Sequence, residues 1–276
     1  MQLQSVVDWF RVLDPIWQAT LAGCFTWGVT AMGASGVLLR RSFPRSLLDA
    51  MLGFAAGVMI AASFWSLLAP SIRMAEAQGN PGWLPAAVGY SLGTAFLWAT
   101  SQILPHISRL LGKSGELSKR SERTSLLVLA VTLHNIPEGL AIGILFGAAA
   151  TATGGTDPVV FGTAVALTLG LGLQNFPEGV AVALPLRQAG LGPVRCFWYG
   201  QLSAVVEPMA AALGAVAVLT VRPLLPFALA FAAGAMIYVV VEQLIPESQA
   251  RGRKALATVA TAFGFLLMMI LDLALR

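Results

Sequence analysis

Two short segments place ionisable and amide side chains inside otherwise apolar stretches of the chain. The first is His134–Gly139 (HNIPEG), and the second is Gln174–Gly179 (QNFPEG), which begins 40 residues later. A third acid, Glu207, stands before Pro208 in a later apolar run. An ionised side chain at the centre of a bilayer costs at least about 2.5 kcal/mol on insertion scales. Carboxylates in such places therefore indicate a functional site.

The residue types in these segments suit a divalent cation. In each segment the first residue and the Glu are four apart and share one face of a helix, while the Asn lies about 100° away. Pro137 and Pro177 lack a backbone N–H, which would leave the carbonyl groups of Leu133 and Leu173 free for water or an ion. Buried acids without a basic partner must bind protons or a cation. Imidazole and carboxylate ligands suit zinc, and also iron, manganese or cadmium.

Eight apolar runs, each long enough to cross about 30 Å of hydrocarbon, carry or surround these segments. The chain is 57% hydrophobic and 11% charged, whereas about a quarter of the residues in a soluble domain are charged. We therefore predict an all-α polytopic membrane protein with a single transmembrane domain over residues 1–276. The predicted spans are 16–39, 47–69, 84–108, 125–149, 159–186, 194–220, 224–246 and 253–275, with a polar loop at about 109–124.

The positions of the basic residues predict the orientation. Of the 17 Lys and Arg residues, 13 lie in the gaps after the first, third, fifth and seventh spans, and such residues favour the cytoplasmic side. Both termini are then extracytoplasmic, the 109–124 loop is cytoplasmic, and the protein belongs to the inner (cell) membrane. Glu138, Gln174 and Glu207 each lie about 18 to 20 Å from the cytoplasmic ends of their spans. The basic residues thus serve orientation, and we expect no nucleic-acid partner.

The two motifs and Glu207-Pro208 resemble the ZIP (Zrt/Irt-like protein) family of divalent metal transporters. The resemblance covers essentially the whole chain, and it implies a homodimeric carrier of zinc, and also of cadmium or iron, into the cytoplasm, not an enzyme. It also implies a binuclear metal site where the kinked fourth, fifth and sixth helices meet the second. In an elevator-type motion, spans one, four, five and six would carry this site past a scaffold of spans two, three, seven and eight.

The same resemblance assigns the ligands, with two glutamates bridging the two ions. The first ion would be held by His134, Glu138, Gln174 and Glu178, together with the thioether of Met59 in the second span. The second ion would be held by Asn135, Glu138, Asn175, Glu178 and Glu207.

Three features depart from the family pattern. Gln174, a weaker and neutral ligand, stands where His is common, which alters the expected metal preference. Near the cytoplasmic end of the seventh span, Glu242 and Gln243 stand where many members carry a His-Glu pair as exit ligands. The 109–124 loop, which is often His-rich in the family, contains no His, and a metal-sensing role is not expected for it.

Two other classes of function are left open. A proton-coupled carrier of an organic solute would use the glutamates as proton relays, although the amides and imidazole beside them favour a dehydrated cation. An intramembrane metalloenzyme would use the same acids as ligands. The chain lacks the HExxH motif of zinc proteases and the ExxH pairs of di-iron bundles, which argues against that class.

Overall fold

Eight long helical segments follow one another along the chain. The structure, a computed structural model, describes residues 9–40, 42–111, 116–151, 156–188, 190–250, 252 and 254–275; it describes no side chains at 104–111, 116–130 and Arg222. We label the segments α1 (Pro15–Leu39), α2 (Arg45–Ala77), α3 (Trp83–Leu111), α4 (Glu116–Ala150), α5 (Pro158–Gln188), α6 (Pro193–Thr220), α7 (Leu225–Gln249) and α8 (Lys254–Ala274).

The prediction of a multi-pass, all-helical membrane protein is confirmed. Within the described residues, seven segments are long and apolar enough to cross a membrane: all except α3, with α4 qualifying over Val131–Ala150. The helix α4 begins at Glu116, nine residues before the predicted span. Residues 112–115 of the predicted 109–124 loop lie outside the described residues.

Two helices begin with the same Asp-Pro pair. The Asp14 side chain accepts a hydrogen bond of 2.9 Å from the backbone N–H of Ile16, and Asp157 accepts one of 2.8 Å from that of Val159. Both caps satisfy N–H groups that have no partner within the helix, and the proline that follows is preorganised for the first turn. These caps fix the residues at which α1 and α5 begin.

Proline also explains a widened turn in each of α2 and α7. Ser63–Leu68 and Val240–Leu244 are π-helical, and each ends two residues before a proline, Pro70 or Pro246. A proline inside a helix donates no hydrogen bond and clashes with the carbonyl group four residues earlier. The chain relieves the clash with a wider turn in which the backbone bonds run from i to i+5.

The eight helices form two groups. The most extensive helix contacts are α2 with α8, α4 with α6, α1 with α5 and α3 with α7. Further contacts unite α1, α4, α5 and α6 in one group and α2, α3, α7 and α8 in the other, while α2 with α5 and α4 with α7 join the groups. Within the groups the backbones approach closely at glycines: a Cβ atom on Gly139 would lie 2.5 Å from the carbonyl oxygen of Glu207. Small residues permit such contact between membrane helices.

Candidate metal centre

Three carboxylates from three neighbouring helices are buried in the first group. Glu138 of α4 and Glu207 of α6 are fully buried, and Glu178 of α5 is 5% exposed. Glu178 lies close enough to both other acids for their charges to repel. Within the described residues, none of the three forms an ion pair with Lys or Arg. No basic side chain of the described part of the chain thus neutralises them.

Two amide side chains of α5 connect the acids of α4 and α6. Gln174 Nε2 donates a hydrogen bond of 2.9 Å to Glu138 Oε2 and also contacts Asn175 Oδ1. Asn175 Nδ2 donates to the two carboxylate oxygens of Glu207 at 2.9 and 3.0 Å, and it lies 3.3 Å from the carbonyl oxygen of Thr26 in α1. The predicted residues Glu138, Gln174, Asn175 and Glu207 therefore form one hydrogen-bonded chain.

Four buried oxygen atoms of this cluster have no hydrogen-bond donor among the described residues. They are Asn135 Oδ1, Glu138 Oε1, Gln174 Oε1 and Glu178 Oε2. A buried polar atom without a partner costs about 1 to 3 kcal/mol. All four atoms are hydrogen-bond acceptors, so only a hydrogen-bond donor or a cation can pair with them. Their arrangement calls for donors or a positive ion.

A break in α6 positions Asn135. The helix is interrupted at residues 203–205, where Pro208 cannot donate to the carbonyl group of Ala204. The N–H of Glu207 donates to that carbonyl instead, at 3.0 Å, and so does not bond to Ser203. The carbonyl oxygen of Ser203 accepts a 3.0 Å hydrogen bond from Asn135 Nδ2. The proline after Glu207 thus creates the acceptor that fixes Asn135.

A tryptophan of α1 supports the same break. Trp27 Nε1 donates to the backbone carbonyl oxygen of Gln201 at 3.0 Å and to its side-chain Oε1 at 2.9 Å. Gln201 is buried and lies just before the interruption. Sequence reasoning missed Trp27, Gln201 and Ser203. The only available signal was a polar residue, Gln201, within an apolar run.

A cavity of about 690 Å³ reaches the cluster from one end of the bundle. It is lined by His134 and Glu178 at the cluster and by Glu247 and Ala250 near the end of α7. His134 is half-buried, and its Nε2 lies 3.3 Å from Nε2 of Gln243 in α7. Glu242 and Gln243 both line the cavity. His134 therefore lies on the cavity wall, at a contact between the two helix groups.

Aromatic residues close the opposite end. The ring of Phe146 in α4 lies 5.7 Å from that of Phe10 and 5.8 Å from that of Phe161 in α5, as centroid distances. Phe146 is almost fully buried, and it lies eight residues beyond Glu138, about 12 Å along the helix. The cluster is thus reached by a cavity from one side, and packed rings lie between it and the other side.

The structure does not bring every predicted residue into a ready coordination shell. Met59 is fully buried among the apolar core residues, and no hydrogen bond of the described residues connects it with the cluster. Within the described residues, no three His, Cys, Asp or Glu side chains are arranged to hold a metal ion. The amide N–H groups of Gln174 and Asn175 bond to the acids in this arrangement.

Comparison with known proteins points to one family. Residues 111–272 match the family described as ZIP Zinc transporter. The chain is 40% identical to Zinc transporter ZIP11 of Homo sapiens, over 94% of this chain and 98% of the relative. It is 36% identical to Zinc transporter GufA of Myxococcus xanthus, over 89% and 94%. It is 38% identical to Zinc transporter ZIPB of Bordetella bronchiseptica, over 93% and 81%.

Proposed function

Because the chain belongs to the ZIP family of zinc transporters, we propose that it carries zinc across the membrane into the cytoplasm through a binuclear site in α2, α4, α5 and α6. Membership of this family makes the protein a transporter and not an enzyme. The observation that carries the proposed site is the set of four buried, unpaired oxygens on residues of the two motifs. Two cations shared by Glu138 and Glu178, with Gln174 on the first and Asn135 on the second, would offset all four.

The proposed ligands are those expected from the sequence. The first ion uses His134, Glu138, Gln174 and Glu178, with Met59 as a thioether ligand, and the second uses Asn135, Glu138, Asn175, Glu178 and Glu207. An amide ligates through its oxygen. Gln174 Oε1 has no donor among the described residues, whereas Asn175 Oδ1 contacts Gln174 Nε2. Asn175 would therefore turn, and the amide N–H groups would leave Glu138 and Glu207 as the ions bind. The hydrogen bonds of the structure thus hold the acids together until the metal replaces them.

The charge of the acids is compatible with one divalent ion, or with two if carboxylates bridge them. Three carboxylates carry three negative charges, and bridging by Glu138 and Glu178 lets two divalent ions share them. A donor set of carboxylate, imidazole and amide oxygen also accepts Cd²⁺, Fe²⁺ or Mn²⁺, because affinity among these metals follows geometry and availability. The neutral Gln174 weakens the first site relative to an imidazole ligand.

The cavity supports the proposed direction of release. If both termini are extracytoplasmic, the end of α7 at Gln249 and the start of α2 at Arg45 face the cytoplasm, and the cavity that reaches His134 opens inward. The aromatic cluster around Phe146 then closes the outer side. We assign the protein to the inner (cell) membrane, where it would span the lipid bilayer as a homodimer.

The helix grouping supports an elevator-type motion. The group of α1, α4, α5 and α6 contains all three acids, whereas the other group contains Met59 and Gln243. Sliding of the first group past the second would separate His134 from Gln243. The contact at 3.3 Å between these two residues would then form only in the inward-facing state.

The function is tested by metal binding and uptake on the purified, reconstituted protein. We compare the wild type with Glu138→Gln, which keeps the shape of the side chain and removes its charge. The matched control is Glu76→Gln, because Glu76 is exposed at the far end of α2. We expect Glu138→Gln to abolish Zn²⁺ and Cd²⁺ uptake, and Glu207→Gln to retain one bound ion.

Two outcomes would contradict the proposal. Uptake at the wild-type rate by Glu138→Gln would remove the shared ligand from the proposal. A wild-type protein that binds neither Zn²⁺ nor Cd²⁺ would overturn the metal site and leave a proton-coupled solute carrier as the account of the acids.

A further inference from the structure

A surface groove lies between the two helix groups and contains none of the proposed metal ligands. It has a volume of about 660 Å³ and is bordered by α1 and α5 of the first group and by α2 of the second. Cavities of about 300 to 1,000 Å³ are typical of sites that bind small molecules. Among the described residues that line this groove, only Ser35 and Arg40 have polar side chains.

Glycines of α1 form the floor of the groove. Gly33 and Gly36 are three residues apart and so lie on the same side of the helix. A Cβ atom on Gly33 would overlap the carbonyl oxygen of Phe176 in α5, and one on Gly36 would lie 3.0 Å from the ring of Phe43. The floor is therefore low because these positions carry no side chain, and the larger side chains around it form the walls.

The length of the groove matches one leaflet of a membrane. Along α1 it runs from Met32 to Arg40, which is about 12 Å at the helical rise. Along α2 it runs from Leu47 to Phe54, which is about 10 Å. Half the thickness of the hydrocarbon core is about 15 Å. The groove thus accommodates one acyl chain of the leaflet that lies on the side of Arg40.

A positive charge marks the membrane-surface end of the groove. Arg40 follows the last residue of α1 and is exposed, and no acidic residue lies among the described residues of the groove wall. Arg45, at the start of α2, adds a second exposed charge nearby. Lipid tails are as apolar as leucine, so the apolar walls alone do not select one lipid from another. Basic side chains do select, because they attract anionic headgroups at the membrane surface.

We propose that this groove binds one acidic phospholipid, with an acyl chain between α1, α2 and α5 and its phosphate group at Arg40. The bound lipid contacts both helix groups. It therefore favours the arrangement in which the groove has this shape, since a ligand stabilises the state that it binds better. Lipid binding does not depend on the proposed function, whereas this effect on the transport cycle rests on it.

Native mass spectrometry of the purified full-length protein counts bound lipid directly. We compare phosphatidylglycerol with phosphatidylcholine on wild type, Arg40→Gln and Arg40→Lys. The matched control is Arg195→Gln, because Arg195 is exposed at the start of α6 and does not line the groove. It lies at the same end of the bundle, since its neighbour Cys196 packs in one cluster with Val37 of α1.

We expect the wild type to bind one phosphatidylglycerol more tightly than phosphatidylcholine. Arg40→Gln should weaken this binding about fivefold, which corresponds to about 1 kcal/mol for one basic side chain at a membrane surface. Arg40→Lys and Arg195→Gln should bind as the wild type does.

A second variant tests the apolar part of the groove. Ser35 lines it and bonds only within its own helix, to the carbonyl oxygen of Met32 at 2.6 Å. Ser35→Phe places a ring where the acyl chain would lie. We expect this variant to lose the bound phosphatidylglycerol while it keeps wild-type Cd²⁺ binding and oligomeric mass.

The effect on the helix groups is measured by thiol labelling. In a background without native cysteines, Ala181→Cys reports access to the inner cavity. Phosphatidylglycerol in the vesicles should accelerate its labelling relative to phosphatidylcholine alone, because the lipid stabilises the arrangement in which this cavity is open. The same position combined with Arg40→Gln should not respond, and it controls for the effect of lipid charge on the reagent.

Three results would overturn the lipid site. The first is equal binding of the two lipids by the wild type. The second is a loss in Arg195→Gln as large as that in Arg40→Gln, which would indicate general attraction of lipid to this basic face. The third is a Ser35→Phe protein that keeps its phosphatidylglycerol, or that loses its partner subunit because the groove is a contact between two copies of the chain.

Failure of the proposed function is distinguishable from failure of the lipid site. Bound lipid is counted without any metal, so the difference between Arg40→Gln and Arg195→Gln stands whatever the protein transports. Wild-type uptake by Glu138→Gln, in contrast, contradicts the proposed metal site and leaves that difference unchanged.

Discussion

The close contact between α4 and α6 gives a prediction whose size follows from the structure. In Gly139→Ala the new Cβ would lie 2.5 Å from the carbonyl oxygen of Glu207 and 2.8 Å from Cβ of Ala210. An ordinary van der Waals contact begins at 3.4 Å, so α6 must move away by about 0.9 Å. The hydrogen bond from Asn135 to Ser203, 3.0 Å long, would stretch beyond its useful range.

Two effects of different size should follow from this movement. Overpacking of a well-packed interior costs about 1 to 3 kcal/mol, so the melting temperature in detergent should fall. Ligand distances in metal sites are tolerant to only about 0.2 Å, and Glu207 moves with α6. We therefore expect zinc affinity, measured by titration calorimetry, to weaken by more than about tenfold, or about 1.4 kcal/mol.

The chain offers a matched control. Gly28 also lies inside a helix, α1, but a Cβ there would meet no atom within 4 Å. Because alanine loses less conformational freedom than glycine on forming a helix, Gly28→Ala should stabilise the protein by about 0.5 to 1 kcal/mol. Wild-type zinc affinity in Gly139→Ala, or equal melting temperatures for the two variants, would refute the packing argument.

Three further predictions test other parts of the molecule. Trp27→Phe removes two hydrogen bonds to Gln201, each worth about 1 kcal/mol. The melting temperature and the affinity for the second ion, which Asn135 would bind, should therefore both fall. An unchanged affinity for that ion would show that the break in α6 needs no support from Trp27. Phe146→Ala opens the aromatic cluster and should cost about 3 to 5 kcal/mol of stability, and a loss below 1 kcal/mol would mean that this end is loosely packed. A second cavity, of about 430 Å³, lies at the other end of the bundle and is lined in part by Ala77 and Leu225. In a background without native cysteines, Ala181→Cys, on the inner cavity, should react with a membrane-impermeant thiol reagent from the cytoplasmic side, whereas Ala77→Cys should react only from outside. The reverse pattern would invert the proposed orientation.

The helical architecture was predictable because a lipid environment leaves few alternatives. An apolar run must satisfy its backbone hydrogen bonds internally, and only helices and closed barrels do so. The convergence of the acids could also be predicted. The spacing of four residues within each motif shows which side chains share a helix face, and the rise per residue gives their depth in the membrane. Glu138 and Gln174, 36 positions apart, meet through a hydrogen bond in the structure.

Contacts between distant segments were not predictable from local patterns. Trp27 and Gln201 are 174 positions apart, and neither residue type nor spacing indicates that they meet. The carbonyl group of Ser203 becomes an acceptor for Asn135 only because the backbone bonding of Glu207 shifts beside Pro208. Asp49 lies two residues inside the predicted span 47–69, where a charge near a helix start is ordinary. Only the packing of α5 and α7 around the cavity shows that it is buried.

The aromatic cluster around Phe146 has an electrical consequence. On the proposed orientation, water and dissolved ions in the inner cavity bring the cytoplasmic potential up to His134 and Glu178. The membrane voltage then falls mainly across the short layer between these residues and the outer surface, rather than across the full bilayer. Two positive charges crossing that layer gain about 4.6 kcal/mol per 100 mV when the cytoplasm is negative. In the proposed motion the charge of the three carboxylates moves together with the zinc ions. The net charge of ions and carboxylates therefore decides how much of this electrical work drives zinc into the cytoplasm.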